Sequence, residues 1–197
     1  MGWMCPIYKK KDRTKICNYR PIMLMNADYK WLTKVTALQM LEEINPLIHK
    51  NQSGFMPKWS IFNNIRLANV ILKYAEITES NSAIVLLDQE KAYEKIWHNY
   101  LWETLECMDI PPLFINTVKE LYKNTFTRVV INGKLSSPYW VTRGVRKGDP
   151  LSCALFNLAI EPLACTIRNN ESLIGYQIPG LTEKQSSVYM QMIWPFI

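Results

Sequence analysis

The aliphatic run at residues 84–87 (Ile-Val-Leu-Leu), which ends on Asp88, constrains the fold of this chain more than any other stretch. The run is too short to form a helix of its own, so it predicts a strand that is buried on both faces. A carboxylate at the end of a buried strand is costly unless a cation or a set of hydrogen-bond donors meets it. Asp88 is therefore either a metal ligand or the cap of the helix that follows, and this stretch alone leaves both interpretations open.

The composition limits the chemistry in which such a carboxylate can take part. The 197 residues include only two histidines, and the five cysteines lie scattered without Cys-x-x-Cys spacing. This excludes a zinc site built from several histidines and is typical of reduced thiols in an intracellular protein. Any metal chemistry must then rest on carboxylates, which favours Mg²⁺ or Mn²⁺. No uninterrupted apolar run approaches the roughly 20 residues that span a bilayer, so we expect no membrane partner.

The net charge of +6 is spread unevenly, because an N-terminal segment carries the cations Lys9, Lys10, Lys11, Arg13, Lys15 and Arg20. Such clustering indicates a polyanionic partner, with a solvated tail as the alternative. Pro21 biases Arg20 toward extended geometry, so we expect its guanidinium to be presented from a strand or loop. The planar fork of arginine suits phosphate oxygens, although an ordinary surface arginine has the same pattern.

Hydrophobic periodicity and turn residues predict an α+β fold. Apolar residues at helical spacing from residue 31 to residue 48 predict a first helix that buries Leu32, Val35, Leu38, Leu41 and Ile44. Ser60 is the expected cap of a second helix, which runs to about residue 79. The remaining predicted elements are helices near residues 100–108 and 112–123, a hairpin of residues 127–131 and 139–142 around Asn132 and Gly133, and a helix near residues 151–168.

A polar, glycine-rich loop at residues 143–152 leads into the last of these helices. Backbone amides at a helix N-terminus, with a glycine that allows close approach, are typical of a phosphate or sugar platform. The alternative is a plain helix start, in which Asp149 is the N-cap and Pro150 the first helical residue. The loop by itself leaves both interpretations open.

Four motifs follow one another in the chain: Asn-Tyr-Arg-Pro at residues 18–21, Gln-x-Gly-Phe at 52–55, Asp-x-x-Lys-Ala-Tyr at 88–93, and Arg-Gly-x-Arg-x-Gly-Asp-Pro-Leu-Ser at 143–152. Each motif alone is weak, but four in the right order are specific. From about Pro6 to Leu163 the chain resembles reverse transcriptases, most of all the enzymes of LINE-type (non-LTR) retrotransposons. The resemblance implies fingers and a partial palm, with the thumb absent, and it favours the metal interpretation of Asp88.

The resemblance also implies a role for each matching residue in DNA synthesis on an RNA template. Asp88 matches the catalytic aspartate that binds both Mg²⁺ ions in a two-metal phosphoryl transfer. Tyr93 matches the aromatic residue under the sugar of the incoming dNTP, with a core tyrosine as the alternative. The other implied nucleotide-binding residues are Arg20, Lys10, Lys11, Lys147, Gly148, Asp149 and Pro150. The residues implied to contact nucleic acid are Lys9, Arg13, Lys15, Arg143 and Arg146.

The chain departs from the family pattern at three places. Lys147 stands where relatives usually carry glutamine, whose amide both donates and accepts, and Glu94 stands where they usually carry aspartate. The Tyr/Phe-Ala-Asp-Asp hairpin that supplies the second metal-binding aspartate is missing, since no aspartate follows Asp149. Two Mg²⁺ ions repel each other strongly, and Asp88 alone cannot hold the pair. We therefore expect the chain as written to be inactive.

A shift of the coding frame accounts for the missing hairpin. When the bases under the tail are read from the third base of the Tyr189 codon, they can spell Tyr-Ala-Asp-Asp-Met-Ala-Val. The single codon for methionine at Met190 and Met192 forces the alanine and the second aspartate of that reading. We therefore predict a small insertion or deletion just upstream of Val188 and an out-of-frame tail at residues 190–197.

The sequence thus predicts fingers-like residues 1–80, which include the basic N-terminal segment, and a partial palm at residues 81–189. The favoured interpretation is a fragment of an RNA-directed DNA polymerase, for which the family implies Mg²⁺ or Mn²⁺ as cofactor. Its implied partners are an RNA template, a DNA primer and a dNTP. Two alternatives stay open, namely a non-catalytic RNA-binding module that keeps the palm scaffold, and an unstable pseudogene product.

Overall fold

The computed structural model describes residues 2–176, and within that range the architecture is mixed α/β, with one sheet and six helices. The strands are β1 (Gly2–Tyr8), β2 (Tyr19–Leu24), β3 (Phe126–Ile131), β4 (Lys134–Leu135) and β5 (Tyr139–Trp140). The helices are α1 (Ala27–Ile44), α2 (Ile61–Ile77), α3 (Ala92–Lys95), α4 (His98–Cys107), α5 (Pro112–Tyr122) and α6 (Pro150–Arg168). The predicted mixture of helices and strands is confirmed, whereas the predicted out-of-frame tail lies outside the described residues.

The chain divides into two compact units. The first runs from the N-terminus to Glu42 and continues in Lys91–Ala159, and the second comprises Glu43–Glu90 and continues from Ile160. All five strands belong to the first unit, together with α3, α4 and α5. The predicted division into fingers-like residues 1–80 and a partial palm at residues 81–189 concerns the subdomains of the family and stays a prediction.

The sheet of the first unit has the strand order β2-β1-β3-β4, and β5 also pairs with β3. β1 is antiparallel to β2, with Pro6 opposite Pro21, and parallel to β3, with Gly2 opposite Thr127. This pairing places Arg20 on a strand, in the extended geometry that Pro21 predicts. The first strand of the chain therefore lies inside the sheet rather than at its edge.

The predicted hairpin after Phe126 forms, but its returning strand is split. Asn132 and Gly133 have φ angles of +50° and +75°, which are the left-handed conformations of a two-residue hairpin turn. The turn joins β3 to the short strand β4, and the chain then pairs with β3 a second time as β5. The two-part return explains why the sequence shows a long connection between the two β-rich runs.

Helices α4, α5 and α6 contribute most of the large, fully buried aliphatic side chains. These are Leu101, Leu105, Val118, Leu151, Leu155 and Leu158. α6 is long and apolar enough to cross a membrane by length and composition alone. Because 61% of it is buried inside the protein, it is accounted for as a core helix. The sequence shows no long uninterrupted apolar stretch here, because Asn157, Glu161 and Pro162 lie within α6.

In the second unit, α2 begins at the residue that the sequence predicts. The side chain of Ser60 accepts a hydrogen bond from the amide of Phe62 at 3.3 Å and so caps the helix. Asn64 is buried in α2 and donates to the carbonyl oxygen of Asn51 at 2.7 Å and to the Ser53 hydroxyl at 3.1 Å. These bonds hold the Gln-x-Gly-Phe turn against the helix.

α1 buries only part of the face that its apolar spacing predicts, since Ile44 is fully buried as expected whereas others are not. Leu32 and Leu38 are exposed, whereas Thr33, Ala37 and Met40 are buried. The hydroxyl of Thr33 donates to a main-chain carbonyl one turn earlier, at 3.3 Å, so this polar residue can be buried without a lost hydrogen bond. Hydrophobic spacing counts threonine as polar and therefore predicts only Ile44 among these buried residues.

The buried strand predicted at residues 84–87 is wrong. These residues form neither helix nor strand, and their side chains are between 55% and 90% exposed. A strand is stable only when a neighbouring strand satisfies its backbone donors and acceptors. No strand within residues 2–176 pairs with this segment. The run thus has the composition of a strand without a partner among the described residues.

Candidate functional site

Backbone hydrogen bonds join the glycine-rich loop between β5 and α6 to α3 and to the residue that follows α3. The amide of Val145 donates to the carbonyl oxygen of Tyr93 at 2.7 Å. The amide of Gly144 donates to the carbonyl oxygen of Ile96 at 2.6 Å. Gly144 has a φ of +84°, and a Cβ at this position would lie 2.9 Å from both the Tyr93 oxygen and the Glu94 Cα. Only glycine fits this contact without strain, so two motifs that are separate in the sequence meet here.

Asp149 is buried at the start of α6, where it caps the helix. Its side chain is 3% exposed, and its Oδ1 accepts a hydrogen bond from the amide of Leu151 at 3.0 Å. Its Oδ2 accepts from the hydroxyl of Tyr29 at 3.1 Å. Pro150 is the first residue of the helix. The helix-start interpretation of Asp149 and Pro150 is therefore confirmed, while their implied contact with a nucleotide stays a prediction.

Arg146 joins the loop to α1, α5 and the start of β3. Its guanidinium donates to the Tyr29 hydroxyl, to the Leu121 carbonyl oxygen at 2.8 Å and to the Thr125 hydroxyl at 2.6 Å. The guanidinium also lies over the rings of Tyr29, at 5.1 Å, and Tyr122, at 4.7 Å. This geometry holds the side chain inside the unit. A contact of Arg146 with nucleic acid stays a prediction that these bonds do not support.

Lys147 forms an ion pair with Glu94, which lies in α3. The Lys147 Nζ is 2.6 Å from the Glu94 Oε1, and the two side chains are 19% and 32% exposed. The carbonyl oxygen of Lys147 accepts from the amide of Met23 at 3.3 Å. Gly148 follows with a φ of +95°, and a Cβ there would lie 3.3 Å from the Met23 oxygen. The loop is thus attached to β2 on one side and to α3 on the other.

Tyr93 lies in the core of the first unit. Its side chain is 5% exposed, and its ring stacks on Phe156 with a centroid distance of 4.7 Å and an interplanar angle of 4°. Its hydroxyl donates to the Cys153 Sγ at 3.7 Å. Burial raises the pKa of Tyr93 above its ordinary value, so the phenol stays protonated. The core-tyrosine interpretation describes this placement, and the implied role under the dNTP sugar stays a prediction.

Three aromatic residues of this network were not singled out by the sequence: Tyr29, His98 and Tyr122. A ring nitrogen of His98, Nε2, lies 3.0 Å from the carbonyl oxygen of Gly144. Burial lowers the pKa of His98, while burial raises the pKa of Tyr122 to about 12. Burial and the charge of Asp149 also raise the pKa of Tyr29. These residues come from α1, α4 and α5, and no motif marks them because their partners lie far away in the chain.

Asp88 belongs to the second unit and lies in an exposed segment outside any helix or strand. The cap interpretation of Asp88 is wrong, because the N-cap residue of α3 is Lys91. No group of three or more His, Cys, Asp or Glu side chains that could hold a metal ion occurs within residues 2–176. The carboxylates in this part of the chain therefore do not fit the pair of Mg²⁺ or Mn²⁺ ions that the resemblance implies.

The connection between β1 and β2, residues 9–18, forms an ordered basic arm. Its bend is held by Asp12, which accepts from the amide and the hydroxyl of Thr14 at 2.9 and 2.7 Å. These two bonds lower the pKa of Asp12. The guanidinium of Arg13 lies 4.7 Å from the ring centre of Tyr8. The cationic side chains that the arm exposes to solvent are Lys9, Lys10, Lys11, Arg13 and Lys15.

Arg20 lies next to the basic arm, and Arg143 lies at the start of the glycine-rich loop. Arg20 is half-buried on β2, directly after the basic arm. Arg143 is exposed at the start of the loop, with its guanidinium 5.6 Å from the ring centre of Trp97, and the two residues form an isolated antiparallel bridge. Neither contact tests the implied roles of these arginines, which stay predictions.

Comparison with known proteins gives consistent matches. The family model described as "Reverse transcriptase (RNA-dependent DNA polymerase)" matches residues 8–190. The chain is 39% identical over 160 residues to the transposon TX1 uncharacterized 149 kDa protein of Xenopus laevis. The aligned residues make up 81% of this chain and 12% of that protein. The chain is 28% identical over 150 residues to the retrovirus-related Pol polyprotein from a type-2 retrotransposable element of Drosophila melanogaster, covering 76% of this chain and 14% of that protein.

A third relative is the RNA-directed DNA polymerase from mobile element jockey of Drosophila funebris, 26% identical over 151 residues, or 75% of this chain and 16% of that protein. The matched region is thus a small part of each relative. The family model, however, covers most of this chain, and all three relatives are named after mobile elements. The chain therefore belongs to the reverse transcriptase family, and within it to the enzymes of LINE-type (non-LTR) retrotransposons.

Proposed function

We propose that this chain is the nucleotide-loop and basic-arm part of an RNA-directed DNA polymerase, which copies an RNA template into DNA from dNTPs. The observation that carries the proposal is the contact between the Asp-x-x-Lys-Ala-Tyr motif and the glycine-rich loop. The Val145 amide meets the Tyr93 carbonyl oxygen, and Gly144 packs where no other residue fits. A loop that is attached to its neighbours before a nucleotide arrives needs little ordering when it binds one.

In this proposal each region makes a distinct contact with the substrates. The basic arm neutralises phosphates of the template or of the incoming triphosphate, because its cations are exposed on an ordered bend. The loop presents Lys147 and Gly148 to the nucleotide. Tyr93 supports this surface from the core through its stack on Phe156. No catalytic step is assigned to a metal ion, because the described carboxylates do not fit one.

We further propose that the chain as written does not extend a primer, and that a shifted frame, read from the third base of the Tyr189 codon, encodes the second aspartate motif. The family match ends at Met190, next to the predicted change of frame, which supports this proposal. Sequencing the coding DNA provides the direct test. A TAT codon for Tyr189 and a CAG codon for Gln191 give Tyr and Asp in the shifted frame. Codons TAC and CAA together would give His and Asn and would contradict it.

Primer extension tests the proposed activity. The chain as written, supplied with RNA template, DNA primer, dNTPs and Mg²⁺ or Mn²⁺, should stay at background, and Asp88→Asn should change nothing. The product of the frame-corrected gene should incorporate dNTPs in a template-dependent manner, and Asp88→Asn in that product should abolish incorporation. If the frame-corrected product stays inactive, or if Asp88→Asn leaves its activity intact, the proposed function is wrong.

A second candidate function, RNA binding without catalysis, is favoured by the basic arm, which is ordered by its own hydrogen bonds and needs no metal ion. If all five exposed cations contact phosphates, a plot of the logarithm of the RNA association constant against the logarithm of the salt concentration should have a slope of about −3.5. Replacing Lys9, Lys10 and Lys11 by glutamine should reduce the slope to about −1.4. The matched control replaces three exposed lysines elsewhere, Lys58, Lys73 and Lys134. Equal effects of the two triple variants would exclude a specific role of the arm.

A further inference from the structure

The two residues that depart from the family pattern within the loop and α3, Lys147 and Glu94, are partners in one ion pair. Their charged atoms lie 2.6 Å apart, although the residues are far apart in the chain. The pair is less exposed than the Lys119–Glu106 pair in the same unit, whose side chains are 37% and 57% exposed. Attraction between charges increases as the surroundings hold less water, so the Glu94–Lys147 pair is the more strongly coupled of the two.

The backbone brings these two charges together and holds them there. Val145 and Gly144 donate to the carbonyl oxygens of Tyr93 and Ile96, on either side of Glu94. On the other side of the loop, the Lys147 carbonyl oxygen accepts from Met23. Because both backbones are already fixed, pairing costs only the rotamer freedom of the two side chains. The pair is therefore a property of the folded loop and not of two mobile surface side chains.

Two other charged side chains of the loop, Asp149 and Arg146, already have partners inside the protein. Asp149 caps the N-terminus of α6 through the Leu151 amide. Arg146 is bound to Tyr29, to Thr125 and to a main-chain carbonyl. Lys147 differs from both, because its partner is a side-chain carboxylate that is 32% exposed and that can move to solvent. Another anion can therefore replace this carboxylate without breaking the core of the unit.

We propose that Glu94 is a positioning residue that competes with the phosphates of a nucleoside triphosphate for the Lys147 ammonium. The inference rests on the proposed function, in which the loop accepts a nucleotide. With the loop empty, Glu94 holds the ammonium in place. When a triphosphate binds, its phosphates take the ammonium and the carboxylate turns away, so binding exchanges one anionic partner for another. A nearby carboxylate repels phosphates, so Glu94 weakens triphosphate binding at the same time as it orders Lys147.

Equilibrium binding of dATP to four proteins tests this exchange: the chain itself, Glu94→Gln, Lys147→Gln and the double variant. At low salt, Glu94→Gln should bind dATP about fivefold more tightly than the unaltered chain, because one repelling charge is gone and the ammonium is free. The gain should fall below about twofold at 0.5 M salt. The double variant should gain less over Lys147→Gln than Glu94→Gln gains over the unaltered chain, since without the ammonium only the direct repulsion by Glu94 remains to be removed.

The matched control is Glu106→Gln, which also removes one carboxylate from an ion pair with lysine in the same unit and changes the net charge equally. It should leave the dATP affinity unchanged. If Glu94→Gln proves unstable in a thermal melt, Glu94→Asp provides the second test, because its shorter side chain loosens the pair and should give an intermediate gain. The inference is overturned if Glu94→Gln binds dATP no better than Glu106→Gln, or if none of the variants binds dATP.

Failure of the inference and failure of the proposed function give different results. If the frame-corrected product copies RNA but Glu94→Gln leaves dATP affinity unchanged, only the inference is wrong. If Glu94→Gln binds dATP more tightly and the frame-corrected product never incorporates dNTPs, the inference stands and the proposed function is wrong. A purely structural pair would lower the melting temperature when it is broken but would not raise the affinity for dATP.

Discussion

The glycine-rich loop at residues 143–152 and the aliphatic segment that ends on Asp88, residues 84–88, are the two most prominent motifs of the sequence, yet within residues 2–176 only the loop is attached to distant elements. In the loop, the Arg146 guanidinium and the Lys147 ammonium both have partners from distant elements. In the segment, Leu86 is 90% exposed, and no hydrogen bond or ion pair joins Asp88 to another of residues 2–176. Local composition predicts where an element could form, but whether it forms depends on partners from distant parts of the chain.

The largest expected effect tests the tightest contact of the loop. Gly144→Ala should lower the free energy of unfolding by roughly 3 kcal/mol, because the new Cβ combines a left-handed φ with a clash against backbone atoms of α3. Gly133→Ala is the control, since it has a similar φ of +75° but nothing within 4 Å of its Cβ. It should cost only about 1 kcal/mol. Urea unfolding measures both, and equal losses would mean that the loop is not packed against α3.

Next in size is the loss of the guanidinium that joins the loop to its neighbours. Arg146→Met should lower the free energy of unfolding by about 2 kcal/mol, because it leaves the Leu121 carbonyl oxygen and the Thr125 hydroxyl without their donor. The exposed Arg143 provides the comparison, and Arg143→Met should cost about 0.5 kcal/mol through its contact with Trp97. A larger loss of unfolding free energy for Arg143→Met than for Arg146→Met would contradict the conclusion that Arg146 joins the loop to its neighbours.

The aliphatic segment should respond in the opposite way. Leu86→Lys should change the free energy of unfolding by less than about 0.5 kcal/mol, because the side chain is already in water. The same change should reduce self-association in sedimentation experiments, since an exposed aliphatic run promotes aggregation. Leu105→Ala, at a fully buried position, should cost about 2 to 5 kcal/mol under the same conditions. A loss above about 1.5 kcal/mol for Leu86→Lys would show that the segment is buried after all.

The smallest expected effect is a pH dependence that only the loop region should show. Burial lowers the pKa of His98, so the folded state favours the neutral ring. Stability from this residue is complete above its ordinary pKa of 6.5 and is lost as the pH falls below that value. The melting temperature of the chain should therefore fall more between pH 7.5 and pH 5.5 than that of His98→Gln, which keeps a donor for the Gly144 carbonyl oxygen. An identical fall of the melting temperature in both proteins would contradict the conclusion that His98 is held neutral in the folded state.

Much of the secondary structure could be predicted because its signals are local. Ser60 marks the start of α2 through a hydrogen bond within the first turn, and Asn132 with Gly133 marks a turn through backbone conformations that other residues avoid. Pro112 begins α5 for a similar reason, since its ring suits the first turn of a helix. Each of these residues acts on neighbours within about four positions, which is the range that sequence patterns cover.

The candidate site was less predictable, because its contacts join distant parts of the chain. The sequence marks Lys147 and Glu94 as two separate departures from the family pattern, and only the fold reveals that they neutralise each other. Tyr29 and Asp149, which are hydrogen-bonded, lie 120 residues apart in the chain, and no spacing rule connects the two. The strand predicted at residues 84–87 failed for the same reason, since strand formation depends on a partner that composition cannot supply.

The interior position of β1 has a consequence for how the protein is made. β1 and β2 are adjacent in sequence and can pair early, but the other edge of β1 pairs with β3, where Gly2 meets Thr127. At synthesis rates of 5–20 residues per second, about 5 to 20 seconds pass between the appearance of β2 and the completion of β3. During that interval a nascent chain carries an open strand edge next to the ribosome. Chaperone binding, or pairing with a neighbouring nascent chain, should therefore concentrate on the first 24 residues.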